Sequence, residues 1–193
     1  MISIPNTNAS RVFVGWIILE ALILLFPMAS HGGVTLEAIH VTTRFSGRLS
    51  LIAFSFILLT RGKPSAAGWV SDHPFLLFAI LHGIHLVELL SYVIWSGTPL
   101  IPIRLLGGAL AYAFIFIMPL LNVKMTGSKM KIVELVFFSY VWLIFFLTYL
   151  PRVLGKLPNV GGTFTEHLIL FICVILVGLL KIISAFRNKV QQR

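Results

Sequence analysis

Six apolar runs divide this chain, and most reach the ~20 residues that a helix needs to cross a lipid bilayer. They span approximately Val12–Ala29, residues 45–61, Pro74–Trp95, Leu100–Leu121, Ile132–Leu150 and Glu166–Phe186. Breakers separate them. Arg61-Gly-Lys-Pro-Ser precedes the third run and Ser96-Gly-Thr-Pro the fourth, Lys124-Met-Thr-Gly-Ser-Lys-Met-Lys precedes the fifth, and the proline- and glycine-bearing stretch Pro151 to Gly162 precedes the sixth. The second run lacks a sharp start and spans the membrane only if it opens near Phe45, with Arg44 or Arg48 snorkelling to the interface. Only 11% of the 193 residues are charged, 58% are hydrophobic, and the mean hydropathy is +0.99. A soluble domain of this length cannot bury so much apolar surface, so lipid must solvate it. The predicted architecture is all-α: one bundle of six transmembrane helices forming a single domain.

The net charge is +9. The basic residues lie at the ends of the apolar runs, where the positive-inside rule and anionic lipid place them, so nucleic acid is not an expected partner. Ten of them fall on one side (Arg11, Arg61, Lys63, Lys124, Lys129, Lys131, Lys181, Arg187, Lys189, Arg193) and five on the other (Arg44, Arg48, Arg104, Arg152, Lys156). That asymmetry puts both termini in the cytoplasm. A bacterial-type inner membrane is the expected location. The first run has the flanks of a secretory leader, but Glu20 interrupts it, and it reads as the first helix. Cys173 is the one cysteine. It excludes an intramolecular disulfide and any Cys-based zinc or iron–sulfur centre.

The third run carries His82-Gly-Ile-His85-Leu-Val-Glu88. Residues three apart share a helix face, so two imidazoles and a carboxylate form a stripe in apolar surroundings. Ionisable groups at membrane depth are costly and mark functional sites. Helix rise puts Glu20, His82 and Tyr140 each ~12 Å from the inner end of its span, with His85, Glu88 and Tyr92 continuing outward. Three chemistries suit such a set: axial ligation of haem iron, coordination of a metal ion, or a proton relay through Glu20, His82, His85, Glu88 and Tyr140. A hydrogen-bonded cluster that only fixes packing is the plain alternative. His31 and His40 fall in a first outer loop running to Arg48 and long enough to fold over the bundle. His73 marks the inner end of the third run, and an outer pair between His167 and His31 or His40 is allowed.

Four stretches stand out: Phe45-Ser-Gly-Arg-Leu-Ser-Leu with Leu58-Leu-Thr-Arg-Gly, Leu77-Phe-Ala-Ile-Leu-His82, Met118-Pro-Leu-Leu with Gly127, and Leu179-Leu-Lys-Ile-Ile. Together they resemble the ferric-reductase-like transmembrane domain family, nearest in size to the haem-binding membrane subunits of periplasmic methionine sulfoxide reductase systems. The resemblance implies a haem b with His82 or His85 as axial ligand and His167 or His73 as candidates for the other. It further implies Arg48 and Arg104 near the propionates, and electrons supplied by a quinone or a redox partner protein. The chain departs from the family in its fifth run, which holds no histidine: Glu134 and Leu147 stand near the positions where the family has them. Besides haem-based electron transfer, the sequence allows a proton-coupled transporter, completed by a homo-oligomer, a haem-free structural subunit of a larger membrane complex, and a membrane enzyme using His82, His85 and Glu88 as acid–base groups. Six histidines are too few for a desaturase-type di-iron site, and no Gly-rich nucleotide fingerprint is present.

Overall fold

A computed structural model describes residues 7–61, 73–99, 102–157 and 161–191, without the side chains of 7–10, 102–105, 185 and 187–191. The described residues form six helices: α1 (Thr7–Ser30), α2 (Leu36–Thr60), α3 (Pro74–Ser96), α4 (Pro102–Lys124), α5 (Gly127–Val153) and α6 (Phe164–Gln191). All six are long and apolar enough to cross a membrane. The protein is a multi-pass integral membrane protein.

The helix ends follow local chemistry. The Thr35 hydroxyl caps α2 by accepting from the Ala38 N–H at 3.1 Å. Proline at the first position opens α3, and Gly97, at φ 63°, closes it in the left-handed conformation that glycine adopts without strain. A reciprocal pair opens α6: the Glu166 N–H donates to Thr163 Oγ1 (3.2 Å) and the Thr163 N–H donates to Glu166 Oε2 (2.9 Å). This is a capping box.

The second span differs most from expectation. Its helix begins at Leu36, not near Phe45, so the first loop is confined to the few residues between Ser30 and Leu36 and cannot fold over the bundle. His40, Arg44 and Arg48 are helical instead. The physical reason is the position of α2. It packs against α1, α3 and α6, while α3, α4, α5 and α6 follow one another around it. Its span is 56% buried at a mean hydropathy of 1.2, whereas α6 is 11% buried at 2.6. A helix shielded from lipid by its neighbours can carry hydroxyls and charges, and its sequence then lacks the apolar run that marks a lipid-facing span.

The core has two halves. Toward the end formed by the C-terminus of α2 and the N-termini of α3 and α5, it is aromatic. Phe54 lies 5.6 Å from Phe78 and 5.3 Å from Phe145, ring centre to ring centre, and Phe75 meets Phe137 at 5.5 Å. Offset and edge-on rings of this kind add stabilisation beyond their buried area. At the lip of this half Arg61 donates through Nε to Glu134 Oε1 (3.0 Å) and through Nη2 to the same oxygen and to Asn122 Oδ1 (3.2 Å), above the Phe75 ring. Arg61 therefore ties the end of α2 to α5 through Glu134 and to α4 through Asn122. Glu134→Ala is expected to destabilise the protein by about 2 kcal/mol, less than the 3–5 kcal/mol of a fully buried pair because Arg61 is partly exposed. Thermal unfolding in detergent reads this, and an unchanged midpoint contradicts it.

Candidate functional site

The other half of the core is polar, and α2 supplies most of it. Thr42, Thr43, Ser46 and Ser50 are all buried along one side of this helix, at the three- and four-residue spacing that keeps side chains on one face. Thr43 satisfies its hydroxyl on the Ile39 carbonyl (2.8 Å). Ser46 reaches across to α1, where its hydroxyl donates to Glu20 Oε1. The Glu88 carboxylate of α3 faces the same hydroxyl and lies within electrostatic reach of Glu20. Ser46 has one proton to give, and it goes to Glu20. Both Glu88 oxygens and Glu20 Oε2 are left without a hydrogen-bond partner, with Glu20 2% and Glu88 7% exposed.

One turn before Glu88, the His85 ring lies flat against Gly47. A Cβ on that glycine would come within 2.9 Å of His85 Cε1. The ring faces the Thr43 backbone, and its Nδ1 has no partner. Gly47 is thus the point where α2 lets an imidazole approach its backbone. His82, a further turn back, sits at the boundary with the aromatic half. Its ring centre is 4.7 Å from Tyr112, 5.2 Å from Phe78, 5.9 Å from Phe145 and 5.4 Å from His85.

The expected layer of Glu20, His82 and Tyr140 does not form. Glu20 meets Ser46 and Glu88 instead, because α1 begins at Thr7 and not at Val12, so Glu20 lies about as far along α1 as Glu88 does along α3. Tyr140 stands apart between α4 and α5, donating to the Gly107 carbonyl at 3.0 Å. Tyr92 stacks on His40 at 4.7 Å. His31 bonds the Pro27 carbonyl (2.8 Å) and lies 3.9 Å from Glu37. Neither His31 nor His40 pairs with His167. His73 stands at the N-cap position of α3 and is exposed. The side chain of Arg104 lies outside the described residues.

A second group closes the polar end. Arg44 and Arg48 of α2 both donate to Glu166 Oε2 of α6, at 3.2 and 3.0 Å. His167 is next to it, within reach of Arg44, Arg48 and Arg152. Neither Arg152 nor Glu166 is among the residues that the sequence singles out for a site. Arg152 follows Pro151, a residue that ordinarily ends a helix, yet α5 continues through that proline to Val153. The Thr163-x-x-Glu166 spacing of a capping box was the available signal for Glu166.

Haem is the group implied by the resemblance. The rings of Tyr112, Phe78, Phe145 and His85 occupy the space around His82 that a porphyrin face requires. His85 is pressed onto Gly47, and His167 belongs to α6, a helix that packs on α2 and α5. As packed, these residues do not fit a haem on α3. Among the described residues no group of three or more His, Cys, Asp or Glu side chains is placed to hold a metal ion.

No protein-family model, no curated protein and no solved structure matches this chain.

Proposed function

We propose that this protein binds and passes protons at a carboxyl pair, Glu20 and Glu88, held around the Ser46 hydroxyl inside the membrane, as the proton site of a proton-coupled transporter. The observation that carries this reading is the bonding at Ser46. One hydroxyl proton serves two buried carboxyl groups, and three carboxyl oxygens remain unpartnered. Two ionised carboxylates facing one hydroxyl in a water-poor interior repel each other and lose their hydration, so the pair is stable only when it holds a proton. His85 supplies the next carrier, one helical turn along α3, with its free Nδ1. Imidazole can take up a proton on one nitrogen and release one from the other. Tyr140 has no part in the relay.

Reconstitution into liposomes with a pH-sensitive dye inside tests the reading. Imposing a pH gradient is expected to give a proton flux that depends on Glu20 and Glu88. Flux equal to that of empty liposomes, with and without candidate solutes, contradicts it and leaves the structural-subunit reading. The orientation that follows from the excess of Lys and Arg at the terminal side puts the carboxyl pair nearer the non-cytoplasmic face.

The haem-b reading, with electron transfer to or from a quinone or a partner protein, makes a different prediction. Protein purified from its native membrane would then show a Soret band that shifts on reduction and is lost in His82→Ala or His85→Ala. The packing of His82 favours a spectrum without that band.

A further inference from the structure

We propose that the end of the bundle where α2, α5 and α6 meet binds an oxyanion, either free phosphate or the phosphate of an anionic lipid headgroup, between Arg44, Arg48, Arg152 and His167. This site is separate from the carboxyl pair and stands without it.

Arg44 Nη2, Glu166 Oε2 and His167 Cε1 converge on Gly162, each within 3.3 Å of where a Cβ there would stand, and Arg48 and Arg152 are within electrostatic reach of His167. The carboxylate is already committed. Glu166 Oε2 accepts from Arg44 Nη2, from Arg48 Nη2 and from the Thr163 N–H. Arg152 donates through Nη1 to the Thr148 carbonyl in its own helix and lies over the Tyr149 ring, 5.7 Å from its centre. These contacts leave the group with more positive charge than Glu166 can balance, which excludes a metal cation as the ligand.

The orphaned atoms point the same way. His167 is 8% exposed, and neither of its ring nitrogens has a hydrogen-bond partner. Arg44 Nε is buried and unpartnered as well. Buried donors without acceptors are rare in native proteins and mark a missing partner. A neutral imidazole always keeps one N–H, and a guanidinium has only donors, so what is missing is an acceptor. Guanidinium forks match phosphate oxygens, and several donors converging from three helices suit a tetrahedral anion. The start of α6 is not itself the site, because the capping box already occupies two of its donor positions.

The test uses the full chain, with isotope-labelled histidine, in nanodiscs of phosphatidylcholine. Inorganic phosphate is titrated while the His167 ring nitrogens are followed by NMR, with the resonance assigned through His167→Gln. A parallel sample holds phosphatidylglycerol, and lipid retained on the protein is read by native mass spectrometry. A saturable shift of His167 with phosphate, weakened roughly 10-fold in Arg152→Gln, identifies a free anion as ligand. No response to phosphate, with phosphatidylglycerol shifting His167 and remaining bound to the wild type but not to Arg152→Gln, identifies the headgroup. A wild-type His167 signal indifferent to both probes overturns the proposal, and so does binding that Arg48→Gln and Arg152→Gln leave unchanged. The wild-type titration decides even where a variant fails to fold.

Discussion

Glu88→Gln is expected to reduce proton flux about 100-fold while leaving the fold intact. This is the lower end of what a positioned proton-transfer group contributes. Glutamine keeps the shape of the side chain and its place facing Ser46, but it cannot take up and release a proton. No hydrogen bond to Glu88 is lost, because its oxygens have none. Thermal stability should hold or rise, since an unpaired acid is removed from the interior. Glu20→Gln should lower flux in the same sense and also weaken the contact with Ser46, whose hydroxyl then donates to an amide oxygen. Flux that survives both substitutions assigns the carboxyl pair to packing alone.

Gly47→Ala is expected to have the second-largest effect, on flux and stability together. The added methyl would stand 2.9 Å from His85 Cε1 and 3.3 Å from Nε2. The imidazole must leave its seat against α2, or α2 and α3 must separate. Overpacking of this kind costs about 1–3 kcal/mol. Gly108→Ala in α4 is the matched control. A Cβ there meets nothing within 4 Å, so the substitution should be neutral in both measurements. Thermal unfolding and proton flux on the two variants separate a close approach at Gly47 from a general loss of helix flexibility. Equal behaviour of the two contradicts the seat drawn here for His85.

The six-helix architecture was legible because five helices face lipid along much of their length and so write their spans as apolar runs. The second helix was half-legible for the opposite reason. Its segment Leu36–Arg48 holds His40, Thr42, Thr43, Arg44 and Ser46, residues that read as a polar loop until α1, α3 and α6 are seen to cover them. Thr35, followed by Glu37 in the first turn, was the local sign of a helix start.

The stripe of His82, His85 and Glu88 was visible from spacing on one helix. Its partner across the interface was not. Which groups meet between helices depends on relative depth, and a shift of just under two turns, about 9 Å, decides between His82 and Glu88 as the neighbour of Glu20. Ser46 carried no signal of its own, since a lone serine in an apolar helix is commonplace. Glu134 stood out only as the residue in place of a histidine, and its role is the ion pair with Arg61.

Infrared difference spectroscopy of the reconstituted protein across a pH step examines the carboxyl pair most directly. A protonated carboxyl C=O band, shifted in D2O and lost in Glu88→Gln or Glu20→Gln, is the predicted result, since the pair must hold a proton to remain buried around one serine. A wild-type spectrum with no such band at any pH at which the protein is folded would contradict the account.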